Sequence, residues 1–171
     1  MFKKGEYVVY GSIGACEVTD IATVDFQGVP KDKWYYILHP CSQKDSKVFV
    51  SVDNQKTLRK VLTKEAAEAL IEDMENIEDL KIEDAKYKEK KYKEILRSSE
   101  SREWLRMIKT LNLLKQDCIK KGKKMLALDE RYLKLAEESL YSELAISFEL
   151  PKENVKENII EKINHIEEIV S

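Results

Sequence analysis

The chain has 171 residues, 43% hydrophobic and 36% charged, with 5 Gly, 3 Pro and a formal net charge of −2 at pH 7; that is enough for two small domains with cores of their own and suits a largely helical protein. No apolar run approaches the roughly 20 residues that cross a bilayer, and the opening MFKKGEYVVYG lacks the apolar core of a signal peptide, so no membrane is involved and the expected location is the cytoplasm. Three cysteines without paired spacing, Cys16, Cys41 and Cys118, suggest neither a disulfide framework nor a zinc site and read as free, mostly buried thiols.

The first sixty residues alternate with the period of strands: EYVVYG, GACEVTDIATVDF, KWYYILHP and KVFVSV are rich in Val, Ile, Tyr, Phe and Thr. Gly11 and Gly14 bracket a turn, Gln27, Gly28, Val29 and Pro30 form a hairpin connection, and HPCSQKDS is a longer loop. Four or five short strands in this length make a small antiparallel sheet curling into an SH3-like or Tudor-like barrel, with KVFVSV at an edge.

From Thr63 the period becomes helical, giving a compact all-α domain of four to five helices and an α+β chain overall. The division is drawn between residues 1–58 and 59–171. Thr63 caps a first helix running to Asn76, with Ala66, Ala69, Leu70 and Met74 on one face. Asp84 or a neighbour caps a second, lysine-rich helix. Ser99 or Ser101 caps a third that carries Trp104, Leu105, Ile108 and Leu111 in a core stripe and stops at Gly122. Asp129 caps a fourth with Tyr132, Leu133, Ala136, Leu140, Leu144 and Ile146. Pro151 opens a fifth, with Val155, Ile159, Ile160, Ile163 and Ile166 inward.

The small net charge conceals segregation. Residues 61–85 carry 2 Lys or Arg against 9 Asp or Glu, residues 86–124 carry 14 against 5, and residues 125–171 carry 5 against 11. The basic block opens with KYKEKKYKEILR and ends with the lysines of KKGKK. Clustered lysines gain by displacing counterions condensed on phosphates, which makes the block a candidate polyanion surface; a solvated helix face paired with its acidic neighbour is the competing reading.

Catalytic patterns are missing. His39 and His165 fall in different expected domains without a partner at metal-ligand spacing, and no Walker A, G-x-G-x-x-G, H-E-x-x-H or nucleophile-elbow pattern occurs. The residues point to a binding protein without a cofactor rather than to an enzyme.

The run FKKGEYVVYGSIGACEVTDI near the N-terminus and LDERYLKLAEESLYSELAIS toward the C-terminus, joined by the basic helix and YKEILRSSES, together resemble the CarD-like (CdnL-like) bacterial transcription regulators that bind RNA polymerase. The resemblance implies a Tudor-like domain that docks on the polymerase β subunit by sheet extension, and a helical domain that touches promoter DNA near the upstream edge of the bubble and stabilises the open complex. It places the docking surface at Val24, Phe26, Val48, Phe49 and Val50. Some relatives carry arginine at the positions of Val24 and Phe49, which implies a more apolar contact here. Period two allows only one of Val48 and Phe49 to face inward.

In the helical domain the resemblance implies weak DNA contacts, mostly to the backbone, from Lys86, Lys88, Lys90 and Lys91, with a second cluster at Lys120, Lys121, Lys123 and Lys124. Relatives place a wedging tryptophan where this chain has Lys88, and Tyr87 is the nearest aromatic substitute. Trp104 falls in a core stripe. The expected protein is thus a non-enzymatic, monomeric regulator. The alternative is a protein-protein adaptor whose basic helix never meets nucleic acid.

Overall fold

The computed structural model describes residues 1–170. Strand β1 (Tyr7–Tyr10) turns through a single 3-10 turn, Gly11–Ile13, into β2 (Gly14–Thr23). β3 (Trp34–Pro40), β4 (Val48–Ser51) and β5 (Leu58–Lys60) complete an antiparallel five-stranded sheet in the order β4-β3-β2-β1-β5. Five helices follow: α1 (Lys64–Glu72), α2 (Lys88–Arg97), α3 (Ser101–Lys120), α4 (Ala127–Phe148) and α5 (Lys152–Val170). The α+β organisation is the one expected, a small antiparallel sheet and then a helical domain. β4 is an edge strand.

Each domain has a core, and β1 belongs to both. One sheet face gathers Val8, Cys16, Val18, Tyr36, Leu38, Val50 and Leu58, whereas Val9 lies with the helical core around Trp104, Ile108, Leu140 and Ile159. The Val8-Val9 doublet breaks strict alternation because both faces of this strand are covered. β2 carries a register shift between Val18 and Asp20, so its second half re-aims side chains and sets Ile21 opposite Tyr36.

Several details differ from the sequence reading. β2 ends at Thr23, which leaves Val24 and Phe26 in the 24–33 connection, where the Val29 N–H donates to the Phe26 carbonyl at 3.1 Å. The division at 58/59 cuts through β5, which pairs Leu58, Arg59 and Lys60 with Tyr10, Val9 and Val8. In α1 the inward stripe is Ala67, Leu70, Ile71 and Met74, one residue on from the stripe expected at Ala66 and Ala69. That phase buries two branched side chains instead of one. Cys16 is buried and Cys118 half-buried, but Cys41 is exposed.

Helix ends follow local chemistry where the sequence offers it. The Thr63 hydroxyl accepts from the Ala66 N–H at 3.1 Å. After α3, Gly122 at φ +66° allows its own N–H to reach the Ile119 carbonyl while the Lys123 N–H reaches Cys118, a Schellman close. The Pro151 carbonyl accepts from Asn154 and Val155 at the start of α5. Two expected caps are corrected. Ser101 is the first residue of α3 after Glu100 and turns its hydroxyl to Glu143, and α4 begins after Leu126, with Asp129 buried inside its first turn.

The two domains touch through small residues. A Cβ on Gly14 would stand 3.0 Å from the Ser139 Cα, and the Ala15 N–H reaches the Ser142 hydroxyl at 3.4 Å, while Ser139 donates to the Ser12 carbonyl at 3.3 Å. The start of β2 thus lies directly on α4.

Candidate docking edge and candidate nucleic-acid interface

β4 pairs with β3 on one side only, so its outer edge offers backbone N–H and C=O groups to a further strand. Alternation sorts its side chains. Val50 points into the sheet core and Val48 is half-buried against the same core, while Phe49 faces out at 38% exposure, opposite Ile37. Phe26, 52% exposed, meets Phe49 edge-to-face with ring centroids 5.3 Å apart. Of the five residues named from the resemblance, Phe26 and Phe49 therefore form an outward aromatic pair, and Val24 is half-buried in the connection beside them. Val48 and Val50 are corrected to core residues, because a strand side chain that fills the barrel cannot also meet a partner. Ile37 and Tyr35, overlooked in the sequence, share the outward register of Phe49 and were recoverable by continuing its period-two pattern across β3.

At the other domain, the first turns of α2 and α4 meet around Asp129. Its buried carboxylate accepts from the Tyr92 hydroxyl at 2.7 Å and from Lys88 Nζ at 3.1 Å. Burial, and then the hydrogen bond to Asp129, pushes the Tyr92 hydroxyl above the usual phenol range, so it remains a donor. Glu89 accepts from the Tyr132 hydroxyl and from Arg131, each at 2.8 Å, and the Tyr132 bond leads in holding its carboxyl below the usual range. These contacts fix the start of the basic helix against α4.

The consequence is a sorting of the expected DNA-contacting residues. Lys88 is committed to Asp129, Lys120 donates to Glu167 at 2.6 Å and Lys121 to Asp117 at 2.9 Å. None of these three stands free for a phosphate. Lys90, Lys91, Lys123 and Lys124 are exposed and, among the described residues, have no carboxylate partner. Lys86 lies over the ring of Tyr87, 5.8 Å from its centroid, and Tyr87 is 54% exposed. Because Lys88 is joined to Asp129, and Lys123 and Lys124 lie just before α4, the free lysines of both clusters gather at one end of the helical domain. Trp104 is buried, and its Nε1–H donates to the Ile95 carbonyl at 3.1 Å, as its core stripe required.

A third constellation joins the domains and was not singled out in the sequence. Glu143 on α4, 0% exposed, accepts from Arg59 Nη1 at 2.6 Å and Nη2 at 3.0 Å, from the Ser101 hydroxyl at 2.8 Å and from the Leu62 N–H at 3.0 Å. Arg59 on β5 also donates through Nε to the Ser99 carbonyl and stacks 5.7 Å from the Trp104 ring centroid. The one signal was a charged residue inside the apolar stripe of LYSELA.

Among the described residues no group of His, Cys, Asp or Glu is placed to hold a metal ion, and no helix is long and apolar enough to cross a membrane. Residues 2–62 match the family described as the CarD-like/TRCF RID domain. No curated protein matches the chain.

Proposed function

Residues 2–62 belong to the CarD-like/TRCF RID domain family, a family of RNA polymerase-interacting domains and not of enzymes, and from that premise we propose that the chain is a transcription regulator that docks on the polymerase β subunit along β4 and stabilises the promoter open complex through the basic end of its helical domain. The observation that carries the reading is the open β4 edge inside the matched segment, with Phe26 and Phe49 beside it. A partner strand gains backbone hydrogen bonds along such an edge, and the aromatic pair supplies apolar selectivity. Lys90, Lys91, Lys123 and Lys124 supply sequence-independent phosphate contacts. Few phosphates are involved, so DNA affinity alone is weak, and tethering to polymerase supplies the effective concentration.

The test has two arms with the full chain. F49D alters an exposed side chain and should lower retention on immobilised β subunit about tenfold, the effect of losing one apolar anchor and placing a charge against the interface. K90E/K91E should retain β-subunit binding and shorten open-complex lifetime. Undiminished retention of F49D overturns the docking edge, and an unchanged lifetime with K90E/K91E overturns the DNA contact.

A further inference from the structure

Leu126 sits where a leucine is costly. It occupies the N-cap position of the 22-residue α4 and offers no side-chain acceptor to the first-turn N–H groups, where Ser, Thr, Asp or Asn would add about 1 kcal/mol of helix stability. Its own side chain is 63% exposed, although Met125 and Leu128 around it pack on the helical core. The residue therefore gains neither a cap nor burial. Its neighbours explain what such a position can do. Lys123 and Lys124 immediately precede it, both exposed and without a carboxylate partner among the described residues. Across the bond of Lys88 to Asp129 lie Tyr87, also exposed, and Lys86, Lys90 and Lys91. Two apolar side chains, from segments far apart in sequence, thus project from one field of unneutralised lysines.

An apolar tip ringed by positive charge fits a polyanion that also exposes apolar faces. A fully paired duplex presents mostly phosphate and sugar to such a surface; a junction between duplex and unpaired strand adds open base faces, against which an aliphatic or aromatic side chain can pack. Resting on the DNA-contacting function proposed above, we infer that Leu126 is a second apolar contact beside Tyr87 that packs on an unpaired base at a duplex junction, and that it gives this end of the molecule its preference for forked over fully paired DNA. Lysines 90, 91, 123 and 124 hold the flanking phosphates and carry no such preference.

The experiment compares binding of the full chain to a forked duplex and to a fully paired duplex of equal length at low salt, by fluorescence anisotropy, for wild type, L126N and K123Q/K124Q. L126N should raise the thermal midpoint, because asparagine caps α4, yet lower the ratio of forked to paired affinity about fivefold, the scale of one lost base contact. K123Q/K124Q should weaken both DNAs by similar factors. A wild-type chain that binds both DNAs equally, or an L126N chain that keeps the wild-type ratio, overturns the role of Leu126 while leaving the DNA function intact. A wild-type chain that binds neither DNA overturns the DNA function itself. A fall in both stability and ratio with L126N marks Leu126 as a structural residue and overturns the inference.

Discussion

Cys16 places its thiol in the sheet core beside Val8, Val18 and Leu38, and burial, with a smaller contribution from Cys41, pushes its ionisation from 9.0 up to about 12. The sign of the resulting pH dependence follows from proton counting. Below pH 9.0 both folded and unfolded chains keep the proton, and the contribution is fully present. Between pH 9.0 and about 12 the unfolded chain has released a proton that the folded chain still holds, so stability falls as pH rises through this window. The buried Tyr92 and Tyr141 hydroxyls, both raised by burial first, act in the same direction. Urea midpoints measured across the alkaline range should therefore decline, and C16A should start lower, from its lost packing, but decline less steeply. An identical slope in C16A would show that the thiol does not titrate from the core.

Exposure and pairing, rather than lysine content, decide what the basic elements do. The start of α2 and the loop before α4 hold five lysines without a carboxylate partner, Lys86 included with its ring contact to Tyr87, whereas Lys120 and Lys121 at the end of α3 donate to Glu167 and Asp117. Only a lysine that releases counterions on binding steepens the salt dependence of affinity, by about 0.9 of a log unit per phosphate neutralised. K123Q/K124Q should accordingly flatten the slope of log affinity against log salt by nearly 2, and K120Q/K121Q by much less, since those charges are already compensated. Equal flattening by both pairs would remove the distinction. The absence of any salt-dependent DNA binding would favour the adaptor reading of the basic helix.

At this scale it is also clear what the sequence could and could not convey. Strand period, the Thr63 cap, the Gly122 stop and the Trp104 stripe are local, and each is written in a few adjacent residues. β5 has only three residues, and its pairing with β1 is a tertiary fact. Asp129 satisfies every rule for a cap, yet the Tyr92 hydroxyl and Lys88, far away in the chain, claim its carboxylate. Phe49 was half-legible: alternation shows that it opposes Val48 and Val50, while only the sheet order tells which side is the core. Which lysines are free is invisible in composition, because their partners come from other helices.

The arrangement of the whole molecule assigns opposite edges of the sheet to different tasks. β4 is open, whereas β5 is held to the helical domain by Arg59 and Glu143, so a strand added at β4 would not disturb the domain junction. Glu143 is 0% exposed and Arg59 retains part of its side chain in solvent, which makes the carboxylate the partner that cannot be left unpaired. E143A strands the Arg59 guanidinium together with the Ser101 hydroxyl and the Leu62 N–H, and breaking a buried pair of this kind costs about 3 kcal/mol. The loss falls chiefly on the junction, since each domain keeps its own apolar core. Calorimetry of E143A should show two transitions in place of one cooperative unfolding. With the β4 edge untouched, its retention on the β subunit should match wild type, yet open-complex lifetime should shorten, because a loosened junction lowers the effective concentration at which the basic end meets DNA. A single transition with an unaltered lifetime would mean that the Gly14, Ala15, Ser139 and Ser142 contacts suffice to hold the domains, leaving the buried ion pair a local role.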